Sequence, residues 1–117
     1  MTFPVTVPNI KVYQGDTFTA SYVFKDKTTG LPINLVTAGW ASWTAQWRPS
    51  SPSTDVVNFT VDATYASTGR IIVTATPVNT RLVKDGVWDL QATQSGTVVR
   101  TWIRGRVEGI GDVTRAV

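Results

Sequence analysis

Arginine and tryptophan side chains alternate in the segment "RTWIRGR" near the end of the chain. Read two residues at a time, this segment puts Arg100, Trp102, Arg104 and Arg106 on one side of a strand. The opposite side carries Val99, Thr101, Ile103 and Val107. Trp and Arg are enriched at the energetic centres of protein interfaces, while basic residues with an interleaved aromatic suit single-stranded nucleic acid. The row is therefore interpreted in three ways: a solvated outer face, a protein interface or a nucleic-acid stripe.

Residue types that support catalysis are scarce in this chain. It has no histidine and no cysteine, which removes the commonest general base and both the imidazole and thiolate metal ligands. The eight acidic residues are scattered, most of them beside turn residues, and this disfavours the paired carboxylates of glycoside hydrolysis. No zinc-protease, EF-hand or phosphate-loop motif occurs. We therefore predict a protein that is not an enzyme and has no cofactor or metal.

Two further residues are candidate contact sites. Trp40 follows a glycine and is out of phase with Trp43 and Trp47, so it lies either at the entrance of a strand or at a contact surface. Arg115 lies in a C-terminal region that is rich in basic residues. Four of the eleven basic residues (Arg100, Arg104, Arg106 and Arg115) fall in the last 18 positions. A net charge of +3 remains modest for a nucleic-acid protein.

The chain has the size and composition of one globular domain. It contains 117 residues, of which 42% are hydrophobic and 16% charged, and no linker divides it. The first sixteen residues do not form a secretory signal, and no run is apolar enough to span a membrane. These features predict a single domain over residues 1–117 that is made in the cytosol and has no membrane partner.

Alternation with a period of two dominates the segments that must position these side chains. Such segments lie at 17–25, 41–48, 57–62, 70–76, 88–93 and 97–109, separated by Gly, Pro, Ser and Asn-rich turns. One helical turn is expected in "PVNTRLVKDG", with Thr80 as its cap. The pattern predicts an all-β fold, a single antiparallel immunoglobulin-like sandwich with seven or eight strands. Residues 1–9 are expected to form an extended arm, and residues 110–117 a C-terminal segment.

Large aromatic residues on the apolar sides of these segments predict the core. Phe18, Tyr22, Trp43, Trp47 and Trp88 would supply most of a two-layer interior. Each large aromatic buries on the order of 150–250 Å².

Ordered short motifs resemble a known group of proteins. "VYQGDTFTASYVF", "GWASWTAQWRP", "GRIIVTATPVNTRLVKDGVWDLQ" and the final "DVTR" follow one another between Val12 and Arg115. This layout resembles small β-sandwich virion proteins of tailed bacteriophages, in particular minor tail proteins of phages that infect actinobacteria. It is more distantly similar to the amino-terminal sandwich domain of siphophage upper-baseplate proteins. "TTGLPINL" departs from the usual Asp-Gly turn, so that turn is expected to differ.

The resemblance implies a structural role in a virus particle. A minor tail or tail-tip (baseplate) adaptor subunit is expected, with contacts to other virion proteins and to copies of itself, and with the virion as its location. A capsid decoration protein is the first alternative. A host-surface carbohydrate-binding module, with Trp40 or Trp102 exposed near loops, is the second. A nucleic-acid partner is disfavoured. The candidate interface residues are Trp102, Arg100, Arg104, Arg106, Trp40 and Arg115.

Overall fold

Eight β-strands make up most of the structure, a computed structural model that describes residues 5–7, 9–50, 53–94 and 98–111. The strands are β1 (Val5–Thr6), β2 (Ile10–Tyr13), β3 (Phe18–Val23), β4 (Trp40–Arg48), β5 (Val57–Asp62), β6 (Arg70–Ala75), β7 (Gly86–Gln94) and β8 (Val98–Ile110). Helix α1 (Pro77–Thr80) and a 3-10 turn (Ala66–Thr68) are the helical elements of the described residues. The prediction of an all-β fold is confirmed.

The strands are hydrogen-bonded in the order β1-β8-β7-β4-β5-β6-β3, and β2 lies beside β8 next to β1 along the same edge. Neighbours from β8 through β3 are antiparallel, as expected, whereas β1 and β2 pair with β8 in parallel. The expectation of a purely antiparallel arrangement is therefore wrong for the first two strands. Both pair with β8, which is far from them in the sequence, so no hairpin turn imposes an antiparallel direction on them.

The start of the chain lies on the chain's own sheet wherever it is described. Val5 and Thr6 pair with Ile103 and Arg104, and the amide of Val7 donates a hydrogen bond to the Arg104 carbonyl at 3.2 Å. Of the predicted C-terminal segment, residues 112–117 lie outside the described residues, and Ile110 is the last residue of β8.

The core lies where the apolar faces of the strands meet. Trp47 and Trp88 are 4% and 3% exposed, as the alternation predicted. Phe18, Tyr22 and Trp43 are half-buried and pack against this core rather than inside it. The ring centroids of Tyr22 and Trp88 are 5.7 Å apart, so β3 packs across the interior from β7. Burial of apolar surface at about 25 cal/mol per Å² makes this aromatic layer a major stabilising term.

Helix α1 holds the turn that joins β2 to β3. The Thr80 hydroxyl accepts a hydrogen bond from the Gly15 amide at 3.1 Å and donates to the Asp16 carbonyl at 2.8 Å. The Gln14 side-chain amide donates to the Val83 carbonyl at 2.8 Å. The "QGD" motif therefore contacts the "PVNT" segment, which is more than sixty residues away in the chain.

Thr80 is the last residue of α1, so the prediction that it caps the start of the helical turn is wrong. Pro77 occupies the first turn, where its missing amide leaves no hydrogen bond unmade, and this places Thr76 at the N-cap.

Candidate functional site

A β-bulge in β8 divides the predicted arginine and tryptophan row. Leu90 of β7 pairs with Ile103, but Gln91, the next residue, pairs with Thr101, so Trp102 is an extra residue in β8. Trp102 and Ile103 are consecutive and are both buried, at 2% and 1% exposure. The prediction that Trp102 shares an outer face with its arginine neighbours is therefore wrong. An extra residue in one strand breaks the alternation of the faces.

The same bulge moves Arg100 to the other face of the sheet. Arg100 pairs with Ala92, which is buried, and directly opposed residues on paired strands share a face. Its guanidinium carbon lies 4.9 Å from the ring centroid of Trp40 and 5.4 Å from that of Trp102. Arg100 therefore covers the end of the core through cation–π contacts, away from Arg104.

Four aromatic residues form what we call the aromatic cluster: Phe24, Trp40, Trp43 and Trp102. The ring of Trp102 lies 5.2 Å from Trp40, 5.0 Å from Phe24 and 5.6 Å from Trp43, centroid to centroid. The first two contacts are edge-on, a geometry that aromatic quadrupoles favour. The cluster is a packing unit of the core.

Trp40 is the first residue of β4 and is 8% exposed, so it lies at the entrance of the strand and contributes to the core. A second irregularity of pairing with β7, between Ala41 and Thr44, explains why Trp40 is out of phase with Trp43. Ser42 lies within it and has a positive φ of 52°. The role of Trp40 as a surface contact is not supported, because its side chain is buried.

Arg104 and Arg106 remain on the outer face, where two residues of β4 and two of β7 join them. Asp89 of β7 pairs with Gln46 on one side and with Arg104 on the other. Val87 pairs in the same way with Arg48 and Arg106. We call this set the arginine groove: Gln46, Arg48, Val87, Asp89, Arg104 and Arg106. It contains a depression of about 80 Å³ lined by Gln46, Arg48, Val87, Trp88, Asp89 and Arg104.

Hydrogen bonds hold the β4 wall of the arginine groove in place. The Gln46 amide nitrogen donates to Asn58 Oδ1 at 2.9 Å, and Gln46 Oε1 accepts from Arg48 Nη2 at 3.3 Å. Arg48 Nη1 donates to the Ser53 carbonyl at 2.6 Å. The Arg48 guanidinium is thus fixed at two of its nitrogens.

Asp89, on the floor of the groove, is subject to two opposing influences on its pKa. Burial raises the pKa of Asp89 above its ordinary value, and the positive charges of Arg104 and Arg48 act in the opposite direction. The three arginines outnumber this one carboxylate, so the groove is positive at neutral pH. A half-buried, positive concavity can bind anionic groups through charge-assisted hydrogen bonds.

Sequence reasoning placed only two members of this groove, Arg104 and Arg106, among the candidate residues. It missed Arg48, Gln46 and Asp89, although their strands alternate clearly enough to mark them as outward-facing. The pairing of β4 with β7 joins residues about 40 positions apart in the chain, and no local pattern reports it. Arg115 lies outside the described residues.

Comparison with protein-family models finds no matching family. Comparison with curated proteins likewise finds no significant match. Within the described residues, acidic side chains do not gather into a group of three that could hold a metal ion. Among those residues, too, no helix has the length and apolar character to cross a membrane.

Proposed function

We propose that this chain is a structural protein of a tailed-bacteriophage virion, a minor tail or tail-tip (baseplate) adaptor subunit that acts through protein–protein contacts. The order of motifs from Val12 to Arg115 supports the virion role by resemblance. The observation that carries the contact role is the arginine groove. Arginines on an open sheet face, with one guanidinium held by hydrogen bonds to Gln46 and Ser53, form a ready-made docking surface.

Preorganisation is what distinguishes this surface from an ordinary solvated strand face. A long side chain that is already fixed loses less conformational entropy when a partner binds. Arg48 is half-buried and fixed, whereas Arg104 and Arg106 are exposed and can adjust to the partner. In a particle with many copies, modest contacts of this kind add through multivalency.

Immunogold electron microscopy on purified particles tests the proposal. Particles from a lysate of the producing host are labelled with antibodies to this chain, and gold at the tail tip is the expected result. Gold over the head surface would replace the tail role with capsid decoration. A chain that stays in the soluble lysate and is missing from gradient-purified particles would overturn the virion role altogether.

A charge-reversal pair tests whether the groove is the contact. Arg104→Glu combined with Arg106→Glu is expected to reduce incorporation into particles far more than it lowers thermal stability, because both side chains are exposed and only Arg104 faces the carboxylate of Asp89. Arg70→Glu is the matched control, since Arg70 is an exposed arginine on β6, outside the groove. Equal incorporation of all three proteins would exclude the groove as the contact.

Burial of the tryptophans weakens the two other function classes. A carbohydrate-binding surface required Trp40 or Trp102 to be exposed, and they are 8% and 2% exposed. A single-strand nucleic-acid stripe required an aromatic residue among the arginines, and Trp102 points away from Arg104 and Arg106.

A further inference from the structure

The arginine groove follows the direction of β7. Its floor is formed by the shorter side chains of Val87 and Asp89, which alternate with the buried Trp88. Arg48 of β4 forms one wall, and Arg104 and Arg106 of β8 form the other. Strands lie about 4.8 Å apart, so the strands of the two walls are separated by roughly 10 Å. That width accommodates an extended peptide.

Donor groups line both walls of this groove. A guanidinium has more N–H donors than the two contacts of Arg48 with Gln46 and Ser53 use. Arg104 lines the same depression from the opposite side. Paired guanidinium donors are suited to carboxylate oxygens, to which they make shorter and stronger hydrogen bonds than neutral donors do.

We propose that the arginine groove binds an acidic, extended segment of a partner protein, with its carboxylates between Arg48 on one wall and Arg104 and Arg106 on the other. This inference rests on the proposed role as an adaptor and names the chemistry of its partner. Complementarity of charge carries it: of the six described residues that define the groove, three are arginines and one, Asp89 on the floor, is acidic.

Two features favour a protein carboxylate over a nucleic-acid backbone. Asp89 repels a continuous row of phosphates, whereas a peptide can place an uncharged residue over it. Trp88, which lies beneath the floor, is 3% exposed and offers no stacking surface.

Fluorescence anisotropy with a defined probe tests this inference. The probe is a fluorescein-labelled peptide of about ten residues with alternating Glu and Ser, the length of a long strand. The same peptide with Gln for Glu is the neutral control. We expect binding of the Glu peptide that weakens with salt, and no binding of the Gln peptide.

Variants of the walls and the floor give opposite results if the inference holds. Arg104→Gln and Arg48→Gln are each expected to weaken binding about tenfold. Asp89→Asn is expected to strengthen it about twofold to fivefold, since it removes the opposing charge on the floor. Arg70→Gln, on β6, should change it by less than about twofold. Wall variants that bind as well as the parent protein would overturn the inference.

Two further results separate this inference from its alternatives. Single-stranded oligothymidine of equal charge that binds more tightly than the Glu peptide would overturn it in favour of nucleic acid. Arg106→Gln repeats the wall test at an exposed residue, in case Arg48→Gln lowers the melting temperature. Tail-tip gold without peptide binding would refute the acidic partner alone, whereas wall-dependent peptide binding without particle incorporation would refute the virion role alone.

Discussion

Replacement of Thr80 by valine tests whether the contact between α1 and the "QGD" turn stabilises the fold. Thr80 is completely buried, and its hydroxyl bonds both to the Gly15 amide and to the Asp16 carbonyl. Valine has nearly the same shape but makes neither hydrogen bond. The Gly15 amide and the Asp16 carbonyl therefore lose their hydrogen-bond partner, while the packing volume is conserved.

The expected magnitude follows from the groups that lose their partner. An unsatisfied buried donor or acceptor costs about 1–3 kcal/mol, and the turn is partly buried, so a total of roughly 2–4 kcal/mol is expected. An unfolding entropy of about 2.1 cal/mol/K per residue gives about 0.25 kcal/mol/K for a chain of this length. The melting temperature should therefore fall by roughly 8–16 °C.

Two control variants make the Thr80 measurement specific. Thr80→Ser keeps the hydroxyl and loses one methyl group, which costs about 1 kcal/mol, so its stability should lie between the parent and Thr80→Val. Thr60→Val changes an exposed threonine on β5 and should stay within about 0.5 kcal/mol of the parent.

Urea denaturation and amide hydrogen exchange provide the two readouts for these variants. Exchange at Gly15 should accelerate in Thr80→Val beyond the change at core amides. If Thr80→Val were as stable as Thr80→Ser, the hydrogen bonds would not be what holds the turn, and the reasoning would be refuted.

Two other predictions concern the aromatic cluster and the groove. Trp102→Ala should lower the free energy of unfolding by about 3–5 kcal/mol, because it opens a cavity among Phe24, Trp40 and Trp43. Val99→Ala, at a residue that is 63% exposed, serves as the control for denaturation, and a loss below about 1 kcal/mol in Trp102→Ala would contradict the packing described above. The raised pKa of Asp89 means that its folded state binds a proton more tightly than the unfolded chain does. Its contribution to stability is therefore fully present below the ordinary carboxyl pKa and is lost as pH rises through the raised value. The stability of the parent protein relative to Asp89→Asn, followed by thermal melts from acid to neutral pH, should decline with rising pH. A rise over the same range would show that the attraction of Arg104 and Arg48 outweighs burial.

Local alternation predicted the strands in which pairing is regular. Strand β5 was predicted with its observed bounds, and β3 and β6 within two residues at each end. In these strands each residue's face follows from its neighbours, because side chains alternate across a regular pleat. The aromatic residues of β4 and β7, Trp47 and Trp88, were placed in the core for the same reason.

The bulges were not predictable, because each depends on how a strand pairs with β7. One extra residue in β8 sends Trp102 into the aromatic cluster and Arg100 over its edge, while Arg104 stays outside. The irregularity in β4 likewise puts Trp40 out of phase with Trp43. If strict alternation is assumed across such a bulge, the residues beyond it are assigned to the wrong face of the strand.

Composition and local periodicity therefore determined the all-β class, most strand positions and the absence of histidine and cysteine chemistry. These properties depend on residue type and on short-range geometry alone. Tertiary structure decided which side chains meet. It split the row "RTWIRGR" between core and surface, and it brought Arg48 and Asp89 beside Arg104. Strand pairing joins residues that are far apart in the chain, so its consequences for a site appear only in the folded protein.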